Sequence, residues 1–122
     1  MQNSAAQLYA STAQKTSSPR DLEADLLIKA AAKLQRVCDD WPNRKPELDE
    51  ALTFNRRLWT IFATSATKPE NPLPHQVKQN IANLSLFIFN QTIDLQTNPR
   101  PEKVPSLISI NRELAAGLRA TS

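Results

Sequence analysis

The chain has 122 residues, fifteen basic and twelve acidic, for a formal charge of +3, with one glycine, nine prolines and one cysteine. A lone cysteine excludes a disulfide framework and CxxC metal spacing, and a single glycine excludes a glycine-rich phosphate loop. The length suits one domain that can bury a core without such staples. We expect a single helical domain over 1–122, with an arm or short helix at 1–17 and a bundle at 18–119.

The arm "MQNSAAQLYASTAQK" is small and polar, with Leu8 and Tyr9 as its sizeable apolar groups. It has no basic region followed by an apolar run, so it does not read as a signal peptide. No stretch of the chain reaches the length of a membrane span, and the expected location is the cytoplasm.

Hairpin turns want Asn-Gly or Asp-Gly, which this sequence lacks. Prolines instead cut it into helical segments. The predicted fold is an all-α bundle of four main helices, near 19–41, 46–67, 74–97 and 105–119. The first opens on Ser18 as cap, Pro19 at the first helical position and Asp21 at capping-box spacing. Leu26, Leu27, Ala30, Leu34, Val37, Cys38 and Trp41 form its broad apolar face, opposite Asp25, Lys29, Lys33 and Arg36. Asp25 and Lys29 are spaced as a favourable i,i+4 pair.

Pro46 opens the second helix, with Glu47, Asp49 and Glu50 where the macrodipole favours acids. Leu48, Leu52, Trp59, Phe62 and Ala66 make a stripe, widened by Phe54, Leu58 and Ile61. After "KPENPLP" comes a helix with two apolar stripes. Val77, Ile81, Leu84, Ile88 and Leu95 form one; Ala82, Leu86, Phe89 and Ile93 form another, nearly opposite. Ser85, Thr92 and Gln96 fill a gap between them. Such a helix is either sandwiched in the interior or offers one stripe to a partner. The last helix places Leu107, Ile110, Leu114 and Leu118 on one face, with Gly117 near its end.

Little here suggests catalysis. His75 is the one histidine and has no ligand or triad partner at useful spacing. Asp39, Asp40, Glu47, Asp49 and Glu50 fit helix-end electrostatics better than acid–base work. No catalytic residue, metal or cofactor is expected. Asn55 and Asn111 fall within apolar faces, and Asn80 borders one. A buried amide left unpaired costs about 1–3 kcal/mol, so these three either bond one another or helix-end carbonyls, or receive an inserted segment.

Four ordered blocks, "SPRDLEADLLIKAAAKL", "LDEALTFNRRLWTIF", "NPLPHQVKQNIANLSLFIFNQT" and "SLISINRELAAGLR", resemble the FlaF family of alphaproteobacterial flagellar biosynthesis regulators. The resemblance spans about Tyr9 to Arg119, with Ser85 where a glycine is expected and Phe54 where a tyrosine is common. Tyr9 and "TSSPRDL" are also similar in placement to FliS-type flagellin chaperones. The resemblance implies a cytoplasmic, non-enzymatic protein that binds flagellin as an export chaperone, promotes its production and secretion, and opposes the translational regulator FlbT. The alternative is a post-transcriptional regulator acting on flagellin mRNA, directly or with FlbT. Only the mild positive charge and Arg56-Arg57 support RNA, and direct contact is not expected. A groove for an apolar flagellin segment would draw on Tyr9, Phe54, Leu58, Trp59, Phe62, Leu86, Phe89 and Ile93. In that arrangement Val77, Ile81, Leu84 and Ile88 face the core.

Overall fold

The structure, a computed structural model, describes residues 19–120. The arm with Leu8 and Tyr9, and the Ser18 cap, lie outside the described residues. The expected all-α bundle is the observed fold. Helix α1 runs Pro19–Asp39, a short α2 spans Trp41–Arg44, α3 spans Leu48–Ala66, α4 His75–Thr97 and α5 Pro105–Ala120. No strand occurs among the described residues.

The connections explain the helix ends. Expected to reach residue 41, α1 stops at Asp39, and Trp41 begins α2 instead. Pro42 and Pro46 have no N–H to give a continuing ladder, so each falls at the start of a new turn. The Asp40 carbonyl accepts from the N–H groups of Asn43 and Arg44, at 3.1 and 2.8 Å. A 3₁₀ turn at Lys45–Glu47 then delivers the chain into α3. Between α3 and α4, Asn71 organises the bend. Its side-chain amide donates to the Ser65 carbonyl at 3.2 Å, and its Oδ1 accepts from the Leu73 N–H at 2.9 Å. Buried Leu73 plugs the end of the core.

The packing order is α5 on α1, α1 on α3, and α3 on α4. Leu26, Leu27, Leu34, Leu52, Trp59, Ile81, Ile88, Leu107 and Leu118 are all at most 2% exposed and share one core. Burying each such side chain contributes roughly 1.5–3 kcal/mol. That outweighs the surface ion pairs, worth about 0–1 kcal/mol each. Asp25 pairs with Arg119 of α5 rather than with Lys29, so its charge ties two helices together. Gly117 lies within α5 with ordinary helical φ, so its conformational freedom goes unused.

Of the two arrangements that two stripes allow, the sandwiched interior helix is not the one observed. Helix α4 packs chiefly on α3 and stands at the edge of the bundle. Its inner seam is Ile81, Ser85, Ile88, Thr92 and Leu95, alternately four and three residues apart. Ser85 and Thr92, expected in a polar gap, lie inside it because that spacing centres them between the large residues. Their hydroxyls donate to their own helix, Ser85 to the Ala82 carbonyl at 2.8 Å and Thr92 to the Ile88 carbonyl at 2.7 Å. Val77 and Leu84 are half-buried at the margin of the seam.

Candidate functional site

Helical geometry puts Ala82, Leu86, Phe89 and Ile93 roughly 110° around α4 from the inner seam, beside it rather than opposite. Leu86 is 65% exposed and Ile93 60%, the two most exposed large apolar side chains among the described residues. Ala82 and Phe89 are half-buried, and Phe89 packs against the core. The strip is therefore open at two positions and anchored at two.

The α3 residues expected to line a groove beside it are placed differently. Phe54, Leu58, Trp59 and Phe62 are all buried. Trp59 meets the Phe62 ring edge-on, with centroids 5.8 Å apart. The Lys33 ammonium sits 5.1 Å from the centre of the Phe54 ring. These four face neighbouring helices, so in this conformation they build the core and present no open wall. Tyr9 lies outside the described residues.

A different wall is open. Gln96 at the end of α4 donates to Asp49 at the start of α3 (3.3 Å), so the two helices run antiparallel. There, Pro42, Pro46, Pro99, Leu48, Leu52 and Leu95 enclose a mainly apolar cleft of about 490 Å³. Lys45, Asp49 and Gln96 supply its polar groups. Gln96, which lines the cleft, lies on the same side of α4 as the Leu86–Ile93 strip and three residues beyond it, so the cleft opens past the C-terminal end of the strip. Sequence reasoning missed this feature. The prolines were legible as helix breaks, but only the antiparallel pairing of α3 and α4 brings Pro42, Pro46 and Pro99 together.

The asparagines divide. Asn80 is exposed and accepts from Gln76 at 3.3 Å. Asn55 and Asn111 are fully buried. The Trp59 indole donates to Asn111 Oδ1 at 2.9 Å, and Asn111 Nδ2 donates to Asn55 Oδ1 at 2.7 Å and to the Leu27 carbonyl at 3.2 Å. One amide thus joins α1, α3 and α5. Asn55 Nδ2 is the one buried side-chain polar atom without a partner among the described residues.

Two titratable side chains, Cys38 and Glu23, are shifted by burial. Burial, and then the neighbouring Asp39 charge, push the Cys38 thiol up, which makes it a poor nucleophile. Burial raises Glu23 to about 7 against an opposing pull from Arg20. His75 is exposed. Among the described residues no cluster of three or more His, Cys, Asp or Glu could hold a metal, and no helix is long and apolar enough to cross a membrane.

No curated protein and no solved structure matches this chain. The family model for flagellar protein FlaF matches residues 5–118, nearly the whole length, and so takes in the core seams, the α4 strip and the proline cleft. The chain belongs to the FlaF family of flagellar proteins.

Proposed function

We propose that this protein is a cytoplasmic flagellin-binding export chaperone that promotes flagellin production and secretion. The observation that carries the reading is the open apolar strip of α4 in a member of a flagellar family. Leu86 and Ile93 stay largely exposed while every comparable residue of the inner seam is buried. A chaperone needs such a surface to cover an apolar client segment and to release it later. Functional opposition to FlbT belongs to the same proposal.

Messenger-RNA binding is the weaker reading. Lys29, Lys33 and Arg36 of α1 share a cleft with Glu47 and Glu50, and Arg36 bridges to Glu47 at 3.7 Å. Interspersed carboxylates interrupt the continuous basic track that phosphates require. The test is copurification with flagellin from a non-flagellated host, with and without flagellin's terminal segments. Retention that depends on those segments supports the chaperone. Failure to retain flagellin, with binding to its mRNA that falls steeply in added salt, supports the alternative.

A further inference from the structure

We infer that the α3–α4 face is a groove for one acidic amphipathic helix, which lies along the α4 strip and sets a bulky apolar side chain in the proline cleft. Flagellin as the source of that helix rests on the function proposed above; the groove rests on geometry.

One wall is apolar: Ala82, Leu86, Phe89 and Ile93. From Ala82 to Gln96 it is about 21 Å long, some four turns of helix. The other wall is the polar edge of α3. Asp49, Thr53, Arg56 and Thr60 recur at i, i+4, i+7 and i+11, so they share one edge of that helix. Asp49 is fixed beside Gln96. The antiparallel course of α3 then carries Thr53, Arg56 and Thr60 alongside Ile93, Phe89 and Leu86. A guest with one apolar face and one polar face matches these walls, and the cleft closes one end.

Charge selects the guest. Arg56 is half-buried, and neither it nor Lys45 at the cleft makes an ion pair among the described residues. Lys78 lies on the same side of α4 as the strip, near its far end, and its ammonium donates to the Lys68 carbonyl and makes no ion pair among the described residues. Asp49 is the one carboxylate of the two walls and already accepts from Gln96. Gln79, Asn83 and Asn90 on the outer margin of α4 are uncharged. Three cations against one engaged carboxylate favour a guest with acidic flanks.

The experiment uses the full chain and two labelled probes, read by fluorescence anisotropy. One is a peptide of flagellin's C-terminal segment. The other is a synthetic helix with leucines at i, i+4, i+7 and i+11 and glutamates on its flanks. The proteins are wild type, the double variant Leu86→Asp/Ile93→Asp, Arg56→Glu, and Ile28→Asp as an exposed control on α1. Circular dichroism melts establish that each is folded. The double variant should weaken both probes by roughly tenfold or more, as loss of central apolar contacts does. Arg56→Glu should weaken them severalfold at low salt, with the difference shrinking as salt rises. Ile28→Asp should bind as wild type does. A lysine-flanked version of the synthetic helix should bind less well than the glutamate-flanked one.

If wild type binds the synthetic helix but not the flagellin peptide, flagellin's C-terminal segment is overturned as the guest and the groove stands; whether flagellin is the client at all is decided by the copurification above. Full affinity in the folded double variant overturns the groove, as does an equal loss from Ile28→Asp. So does a wild-type dimer that Leu86→Asp/Ile93→Asp dissolves, since the strip would then be a self-interface.

Discussion

The indole N–H of Trp59 can only donate, which fixes the Asn111 amide with its oxygen toward Trp59. The Asn111 nitrogen then faces Asn55 and the Leu27 carbonyl, and Asn55 must offer its own oxygen in return. The two asparagines are therefore unequal. Replacing Asn55 by Leu removes a donor that has no partner among the described residues and leaves Asn111 one bond short, so the changes offset. Replacing Asn111 by Leu strands the buried Trp59 N–H and the Asn55 oxygen together. At about 1–3 kcal/mol for each of the two buried groups left unpaired, Asn111→Leu should lower stability by roughly 2–6 kcal/mol. Asn55→Leu should cost about 1 kcal/mol or less. Urea denaturation of both variants checks this, and equal losses would refute it. The sequence put both asparagines inside apolar faces, but not which helices they join, because that depends on how α1, α3 and α5 stack. Glu23 makes a second residue-scale prediction. It is 6% exposed, and burial raises its pKa from 4.5 to about 7 in the folded state. Between those pH values the folded chain binds more protons than the unfolded chain, so stability falls as pH rises through that window and levels off above it. Thermal melts should show a higher Tm near pH 5 than near pH 8. The difference should correspond to something on the order of 1–3 kcal/mol. Glu23→Gln should flatten that slope and raise Tm at pH 8; an unchanged slope would assign it to another group.

At the scale of the element, α4 shows what periodicity can and cannot give. Counting large apolar residues correctly separated Ile81, Ile88 and Leu95 from Leu86 and Ile93. The same count misplaces Ser85 and Thr92, since a polar side chain need not be an exposed one. Small hydroxyl side chains can enter a seam when their own helix accepts the bond, as the Ala82 and Ile88 carbonyls do here. On α3 the error ran the other way. Phe54, Leu58, Trp59 and Phe62 spread too far round the helix for one seam, which is why the sequence offers them as lining for a groove. In fact α3 has neighbours on two sides, α1 and α4, and uses the whole width. The helix boundaries were legible because proline and capping chemistry are local. Which faces remain open was not, because packing order is not local. A graded series follows for α4. Ile88→Asp puts a charge at a position with no exposure and should prevent stable folding. Leu86→Asp, at a position 65% exposed, should change stability by no more than about 0.5 kcal/mol. Phe89→Asp should fall between them, since its ring packs against the core while part of it remains open. Thermal melts of the three rank them, and a Phe89→Asp variant as stable as Leu86→Asp would show that the ring contributes little to the core.

For the whole molecule, the packing order makes stability uneven. Helix α1 is flanked by α5 and α3, and α3 by α1 and α4, whereas α4 leans chiefly on α3. Polar and mostly exposed ties add to this: Gln96 to Asp49, Gln91 to the Lys103 carbonyl, Lys78 to the Lys68 carbonyl and the Arg100–Asp94 pair. Surface bonds of this kind contribute little each. What holds α4 is the seam of Ile81, Ile88 and Leu95, all fully buried. An edge helix with one principal neighbour opens at a lower free energy than the centre of the bundle. The surface proposed for the client is on that helix, where ordering a guest can also order the host. Native-state hydrogen exchange followed by mass spectrometry should therefore show α4 amides exchanging faster than those of α1, and α1 amides exchanging only with global unfolding. Adding flagellin's C-terminal peptide should slow exchange across residues 82–96 and along the exposed edge of α3, and leave α5 unchanged. Uniform exchange over the four long helices α1, α3, α4 and α5 would show that the bundle opens as one unit. Peptide-induced protection confined to α5 would move the client to the opposite end of the packing order.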